Sequence, residues 1–297
     1  MMYEIYHKTA FEYESMVTFS HNIARLKPRE NRFQKILDFS MEIVPHVYEE
    51  HSFEDMFGNS NTHLLIRKPH RSLSVIGRSR VEVFPHMLEA HNERMKLGSM
   101  PYEKALELLS AFDIHDLLAK KYGFESELIS KGSSAIKAYA LESFHPKRDL
   151  YAAGEEFMER IFRDFEFVPG FSDVTTPIEE IFEAKKGVCQ DFTHFAIASL
   201  RAIGLPAKYI SGYIETLPKE GEAKLFGVDA SHAWFALYIP RSGWMGFDPT
   251  NNLIPTSQHI FLGQGRDYDD ITPLKGVVMS SGKSELQIGV DVKRISD

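Results

Sequence analysis

One cysteine, one histidine and one aspartate in the second half of the chain have the types and the setting of a nucleophilic site. Cys189 is the only cysteine among 297 residues. Apolar residues recur after it at three- and four-residue steps, which predicts a helix that begins at or just before Cys189. The free backbone N–H groups at a helix start favour a thiolate there. A small buried apolar cysteine is the commoner alternative, and a nucleophile also needs a base and an orienting group.

The base and the orienting group are predicted from a hairpin downstream. Residues 231–240 are rich in aromatic and apolar residues, which indicates a strand. His232 opens this strand and Asp248 closes the next. The turn between them places residue 251 opposite His232, so we expect a bulge or a strong twist to bring Asp248 to the imidazole. With that adjustment Cys189 is the nucleophile, His232 the base and Asp248 the residue that fixes the imidazole tautomer.

Short elements on both sides of Cys189 are predicted to hold it in place. Thr176, followed by Pro and Glu, predicts the N-terminal cap of a helix that runs to about Lys186. Gly187 ends that helix, and its missing side chain lets a second backbone or a substrate come close. Gly204 stops the cysteine helix, and a strand is predicted over 207–214.

Metal binding is an alternative use of these residue types. Cys189, His194 and His232, together with Asp191, would supply ligands that zinc accepts. His194 lies five residues after Cys189, so on a helix the two side chains point in different directions. We therefore predict no metal and no other cofactor. Asp191 is interpreted as an acid that caps the helix start.

Several blocks of the sequence resemble a known family in the family's own order. Two of them resemble the transglutaminase-like core, a papain-like thiol fold: GVCQDFTHFAIASLRAIGLPAKYISGY and SHAWFALYIPRSGWMGFDPTNN. This resemblance spans residues 150–260 and places the family's catalytic residues on Cys189, His232 and Asp248. The later segments GRDYDD and ITPLKGV are similar to the region after the core in bacterial members. The N-terminal region of those members resembles YEIYHKTAFEYESMVTFSHNIARLKPR, DMFGN and KPHRSLSVIGRSRVEV.

The hydrophobic pattern divides the chain into three parts. Residues 1–85 alternate between apolar and polar positions, which predicts an N-terminal antiparallel β-sandwich-like domain with strands over 3–13, 33–44, 61–68 and 72–84. Residues 86–150 form a helical segment whose first part, 86–100, is interpreted as a linker. Residues 151–297 form the transglutaminase-like catalytic core and end in an alternating strand over 285–295. Helices are predicted over 102–109, 115–121, 134–142 and 152–165.

These parts define an α+β fold class. We expect the N-terminal β domain to be followed by the helical region and then by a papain-like core, in which the nucleophile helix packs on an antiparallel sheet. The polar stretch 217–230 predicts a loop beside the catalytic strand, where loops often shape substrate access.

Composition excludes several other classes of function. A net charge of −8 argues against a nucleic-acid partner. The single cysteine excludes an intramolecular disulfide. No apolar run approaches the ~20 residues that a membrane span needs. The first residues show no basic region followed by an apolar run, so we expect no signal peptide, no membrane association and a cytoplasmic location.

The resemblance implies cysteine-dependent chemistry at amide bonds of peptides or proteins. The thiolate of Cys189 would form an acyl-thioester and pass the acyl group to water or to an amine. The family contains crosslinkers, peptidases and amidases, and hydrolysis is favoured here. Two alternatives stay open: a catalytically idle module that uses the core for binding, and a metal-dependent hydrolase.

Overall fold

The computed structural model describes residues 1–111, 113–215 and 231–296. The loop predicted over 217–230 lies outside these residues. In the described part, the strands are β1 (Met2–Val17), β2 (Phe19–Ala24), β3 (Gln34–Val44), β4 (Glu49–Glu54), β5 (Ser60–Ile66), β6 (His70–Val83), β7 (Glu166–Phe167), β8 (Lys186–Gly187), β9 (Ala207–Ile214), β10 (Ser231–Ile239), β11 (Gly243–Phe247), β12 (His259–Gly265), β13 (Leu274–Met279) and β14 (Ser284–Ser296). The α-helices are α1 (Pro85–Leu97), α2 (Tyr102–Ser110), α3 (Ile114–Lys120), α4 (Ser134–Ser143), α5 (Leu150–Asp164), α6 (Ile178–Ala184) and α7 (Cys189–Ala202).

Two antiparallel sheets are built mainly from the first third of the chain. Their strand orders are β14-β1-β6-β3 and β13-β2-β5-β4. Residues from both sheets share one buried apolar cluster, which includes Val17, Leu64 and Leu73. The alternation in β1 is the predicted one, because Tyr3 and Ile5 are buried while Glu4 between them is exposed.

The third sheet carries the predicted chemistry. Its order is β11-β10-β9-β12, and all of its described pairs are antiparallel. Helix α7 packs on β10 and β9, and its Phe195, Ile197 and Leu200 are fully buried in the largest apolar cluster of the described chain. The predicted α+β class, with the helix that begins at Cys189 packed on an antiparallel sheet, is confirmed.

The final strand of the chain belongs to the N-terminal sheet. The sequence division placed residues 151–297 together, but β14 pairs with β1 from Met2↔Ser296 to Tyr13↔Ser284. In the same way β13 pairs with β2. The alternating pattern of 285–295 predicts an edge strand, as observed, but contains nothing that selects its partner, so the sequence did not show that this strand belongs to the N-terminal sheet.

The predicted linker is also wrong, because most of residues 86–100 form helix α1. Pro85 supplies the first residue of the helix, where its fixed φ is favourable. Leu88 and Met95 are buried, and the His91 ring hydrogen-bonds the carbonyl oxygen of Trp244 at 2.9 Å. The segment is weakly amphipathic, so its helix depends on this packing against β11 rather than on a sequence pattern.

Two amide side chains from the N-terminal third complete the free edge of the core sheet. Gln34 donates to the carbonyl of Phe261 at 2.7 Å and accepts from its N–H at 2.9 Å. Asn59 does the same to Gln264, at 2.8 Å and 2.9 Å. Both amides are buried, and each substitutes for a ladder partner on the edge strand β12. The N-terminal sheets and the core sheet are thereby joined by polar contacts as well as by the cluster that includes Ile5, Ile260 and Leu262.

We predict that Gln34→Leu lowers the free energy of unfolding by about 2 to 4 kcal/mol, because it leaves the buried N–H and C=O of Phe261 without partners. Urea denaturation measures this loss. Gln287→Leu, at an exposed glutamine of β14, is the matched control and should change stability by less than about 0.5 kcal/mol. Equal losses in the two variants would show that the Gln34 contacts do not stabilise the edge.

Candidate active site

Cys189 is the first residue of α7, as predicted. Asp191 caps this helix: its Oδ2 accepts the N–H of Val188 at 2.7 Å and the hydroxyl of Ser172. The carboxylate lies so close to Gly187 that a Cβ on that glycine would be 2.7 Å from Oδ2. Gly187 therefore makes room for the carboxylate that caps α7. The sequence predicted that another group comes close to this glycine, and in the structure that group is the Asp191 side chain.

The helix before the cysteine differs from its prediction at both ends. Helix α6 begins at Ile178 and has no side-chain cap, because the Thr176 hydroxyl accepts from the N–H of Asp173 instead. Its C-terminal cap is Lys185, in the left-handed conformation at φ 54°. Gly187 instead lies in β8, which pairs in parallel with β7 and leads the chain into Cys189.

The hairpin brings His232 and Asp248 together without the expected bulge. Strands β10 and β11 pair regularly from Ile239↔Gly243 to Phe235↔Phe247. Continuing this register places Asp248 opposite Trp234, so His232 is its diagonal neighbour on the same face of the sheet. The His232 Nε2 to Asp248 Oδ2 distance is 2.7 Å. The sequence-based register was wrong by one residue, and a diagonal contact takes the place of the bulge.

Five donors surround the buried carboxylate of Asp248. Oδ2 accepts from His232 Nε2, from His259 Nε2 at 3.1 Å and from Asn251 Nδ2 at 2.8 Å. Oδ1 accepts from the backbone N–H groups of Thr250 and Asn251 at 3.0 Å and 3.2 Å. The side chain is fully buried, so these bonds replace the solvation that the charge has lost.

His259 and Asn251 were missed in the sequence. The Nδ1 atom of His259 accepts the N–H of Thr256 at 3.1 Å, so its proton lies on Nε2 and is donated to Asp248. Asn251 follows Asp248 in the same turn, and the run Asp-Pro-Thr-Asn is a local signal that would have found it. His259 reaches the site from β12 through tertiary packing, and the residues around it carry no such signal.

The electrostatics of the pair favour the charged forms of both partners. Burial disfavours imidazolium, but hydrogen bonds to Asp248 and Cys189, together with their negative charges, raise the pKa of His232 to about 10. Burial also acts against ionised Asp248, yet the bonds from His232 and His259 hold its pKa well below the ordinary range. Because Asp248 occupies Nε2, Nδ1 is the ring nitrogen that remains for the Cys189 thiol. Cys189 itself is partly exposed, as a nucleophile must be.

The residues weighed as zinc ligands do not converge. His194 is buried and its Nε2 accepts the N–H of Tyr268 at 3.1 Å, while Asp191 is committed to its helix cap. Burial and the nearby charge of Arg201 lower the pKa of His194 to about 3, so it is a neutral acceptor. Among the described residues, the ligand atoms that converge belong to His232, Asp248 and His259. Both Nε2 atoms already donate to the same Asp248 Oδ2, so the three side chains form a hydrogen-bonded group centred on the carboxylate.

Two family models match the chain on either side of the helical region. The bacterial transglutaminase-like N-terminal region matches residues 3–82, and the transglutaminase-like superfamily matches residues 137–249. A protein of Mycobacterium tuberculosis without a characterised function is 33% identical over 295 residues, which cover 98% of this chain and 92% of the relative. The chain therefore belongs to the transglutaminase-like superfamily and carries the bacterial N-terminal region.

A solved structure shows the same fold, and one relative is named for an activity. The crystal structure of a “putative cysteine protease” from Cytophaga hutchinsonii superposes with a TM-score of 0.76 at 20% identity, covering 100% of this chain and 91% of that one. A protein-glutamine gamma-glutamyltransferase of Pseudomonas aeruginosa is 32% identical over 77 residues, which are 25% of this chain and 11% of that protein. In the described ranges, no helix has the length and apolar character to cross a membrane. The cytoplasmic location stays a prediction.

We predict that the His232–Asp248 pair stabilises the fold in a defined pH window. A histidine whose pKa rises on folding from 6.5 to about 10 stabilises fully below 6.5, and this contribution is lost as the pH rises to about 10. Asp248, whose pKa falls on folding, contributes above its ordinary value near 4 and loses that contribution as the pH drops. The advantage of the natural protein over His232→Gln should therefore be largest from about pH 4 to 6.5, at about 2 kcal/mol or more.

Urea denaturation across that pH range measures the difference. His86→Gln, at an exposed histidine of α1, is the control and should show no comparable window. A stability difference that does not depend on pH would contradict a charged imidazole in the folded protein.

Proposed function

We propose that the protein is a thiol hydrolase that cleaves amide bonds of peptides or proteins through an acyl-thioester on Cys189. The observation that carries the proposal is the hydrogen-bonded chain from Cys189 through His232 to a fully buried Asp248. Each side chain has the environment its role needs: the thiol is accessible, the imidazole is oriented, and the carboxylate is fixed by five donors.

The first half of the reaction uses all three residues. In the resting enzyme the Cys189 proton already lies on Nδ1 of His232, where Asp248 stabilises the imidazolium, and the Cys189 thiolate attacks the carbonyl carbon. The carbonyl oxygen becomes an oxyanion beside the start of α7, where the N–H of Cys189 has no acceptor within the helix. Burial and then the nearby charge of Cys189 raise the pKa of Tyr268 to about 12, so its phenol is a protonated neighbour of the sulfur. We propose Tyr268 as the second donor to the oxyanion.

The second half returns the enzyme to its starting state. The carbon–nitrogen bond breaks while His232 gives its proton to the leaving amine, which leaves an acyl-thioester. Water then loses a proton to His232 and attacks the thioester carbon. Carbon–sulfur cleavage releases a carboxylic acid and restores the thiolate–imidazolium pair, so that no cofactor is consumed.

Transfer to an amine is the second candidate function. The observation that favours it is the similarity of 77 residues to a gamma-glutamyltransferase. Both functions use the same acyl-thioester and differ only in the nucleophile that resolves it. We favour water, because in the predicted cytoplasmic location free joining of glutamine to lysine would need tight control.

Asp248→Asn should fold but lower kcat about 100-fold or more, because an amide neither fixes the imidazole tautomer nor stabilises its charge. The rate of acid release from a peptide amide measures the effect. Asp267→Asn is the matched control: this aspartate is also fully buried and accepts two backbone N–H groups, but from Leu128 and Asp269. It should alter stability and leave kcat within about threefold. A fully active Asp248→Asn would refute the triad.

The partition of one acyl-enzyme decides between water and amine. We expect the protein, given a glutamine-containing peptide and a fluorescent primary amine, to form more free acid than amine adduct, as counted by mass spectrometry with ammonia release. Adduct in excess over acid at ~1 mM amine would identify a transferase, since ordinary substrate concentrations lie in that range. Cleavage of the peptide backbone would identify a peptidase.

The control for this experiment is Cys189→Ala, which should form none of these products under any of the three outcomes. Products that persist in Cys189→Ala would rule out a thiol mechanism. If the natural protein forms no product from a broad peptide-amide library, and a thiol-directed probe does not label Cys189, the core is an idle binding module.

A further inference from the structure

A cavity lies on the opposite face of the core sheet from helix α7. On the α7 side, β10 contributes Ala233, Phe235 and Leu237 to the main core. Alternate residues of β9 and β10 point the other way and form a separate small cluster with Trp244 and Phe261. There, a cavity of about 500 Å³ is enclosed by the core sheet, helix α1 and the segment that precedes β3. This volume is that of a small-molecule site.

Every charged side chain that lines this cavity is basic: Arg29, Arg32, Arg94 and Lys208. The chain as a whole has more acids than bases, 42 against 34, so composition does not explain the bias. In the described ranges, no carboxylate forms an ion pair with any of the four. The side chains that line the cavity therefore carry positive charge and no negative charge, which favours an anion there.

Lys208 is the buried member of this set. It is 7% exposed, and its Nζ donates to Gln264 Oε1 at 2.6 Å and lies 4.4 Å from the centre of the Trp244 ring. Burial, followed by the charges of Arg29 and Lys121, lowers its pKa to about 7. A buried ammonium whose partners are one neutral amide and one ring is short of the negative charge that normally accompanies it.

His91 adds a second unsatisfied group to the same cavity. Its Nε2 donates to the carbonyl of Trp244, which leaves Nδ1 as an acceptor. That Nδ1 is buried and has no partner among the described residues. Buried polar atoms are normally paired, so this acceptor indicates that a water or a hydroxyl group of a ligand donates to it; it does not itself bind the oxygens of an anion.

We propose that this cavity binds a small organic anion, with its carboxylate or phosphate oxygens on Lys208 and its apolar body against Trp244, Phe33 and Phe261. Arg32 and Arg94 are exposed and lie at the entrance, where they attract the anion without being desolvated. The site is separate from Cys189 and does not depend on the proposed hydrolysis.

Titration calorimetry on the full chain tests the proposal with three probes of one shape: 3-phenylpropionate, phenyl phosphate and the neutral 3-phenylpropanol. Tryptophan fluorescence reports on the same site, because Trp244 lines the cavity and the only other tryptophan is fully buried. We expect at least one anion to bind, and the alcohol to bind at least about tenfold more weakly. The stronger of the two anions distinguishes a carboxylate from a phosphate ligand.

Three variants test whether the anion binds in this cavity. Lys208→Met keeps the length of the side chain and removes the charge, and it should weaken anion binding at least about tenfold. Arg94→Gln, on the exposed end of α1, cannot disturb the core and should weaken binding about two- to fivefold. Lys104→Met is the matched control on α2, where the lysine is exposed and paired with Glu107; it should leave affinity unchanged.

Proton linkage provides an independent readout. Above pH 7, an anion that needs a charged Lys208 must bind together with a proton, so calorimetry in buffers of different ionisation enthalpy should show proton uptake. The other titratable or charged groups around this lysine are His91, Arg29, Arg32, Arg94 and Lys121. They are unchanged in Lys208→Met, so the expected loss of proton uptake in that variant assigns the uptake to Lys208. Failure of both anions to bind, binding of the alcohol as strongly as the anions, or full affinity in Lys208→Met would each overturn the proposal.

Discussion

The buried carboxylate of Asp248 is the constraint on which the active end of this molecule depends. A charge with no exposure to water must be met by donors, and here these come from β10, from the turn after β11 and from β12. The last of these links the site to the rest of the chain, because β12 is an edge strand held by Gln34 and Asn59. The orientation of His232 therefore rests in part on two amides from the N-terminal region. This gives a physical reason for that region to accompany the core.

Features that depend on residues close together in the sequence could be predicted from it. The start of α7, its end at Gly204 and the strands of the hairpin were predicted because each depends on residues a few positions apart. Gly204 adopts a φ of 86°, the left-handed conformation that its type permits. Asp191 was correctly interpreted as a cap for the same local reason.

The features that could not be predicted depend on contacts between residues that lie far apart in the sequence. His259 contacts Asp248 only because β9 lies between β10 and β12, and neither the spacing nor the residue types of these strands specify that order. Helix α1 and the sheet that contains β14 were misassigned because packing, not periodicity, decides them. The short strands β2, β4, β12 and β13 were missed, since their patterns are brief or interrupted. The triad itself was predicted by resemblance, and the structure supplies the geometry that brings its members together.

The pairing of β14 with β1 has a consequence for how the protein forms in a cell. Strand β1 is synthesised before the core sheet and β14 after it, yet they share a ladder from Met2 to Tyr13. Until translation reaches β14, one edge of β1 is an open row of backbone donors and acceptors, available to any other extended chain. The nascent polypeptide therefore exposes an unpaired strand edge while its transglutaminase-like core is being synthesised. Its N-terminal sheet closes only once that core has been made, so chaperones that shield exposed strands have their longest window of action here.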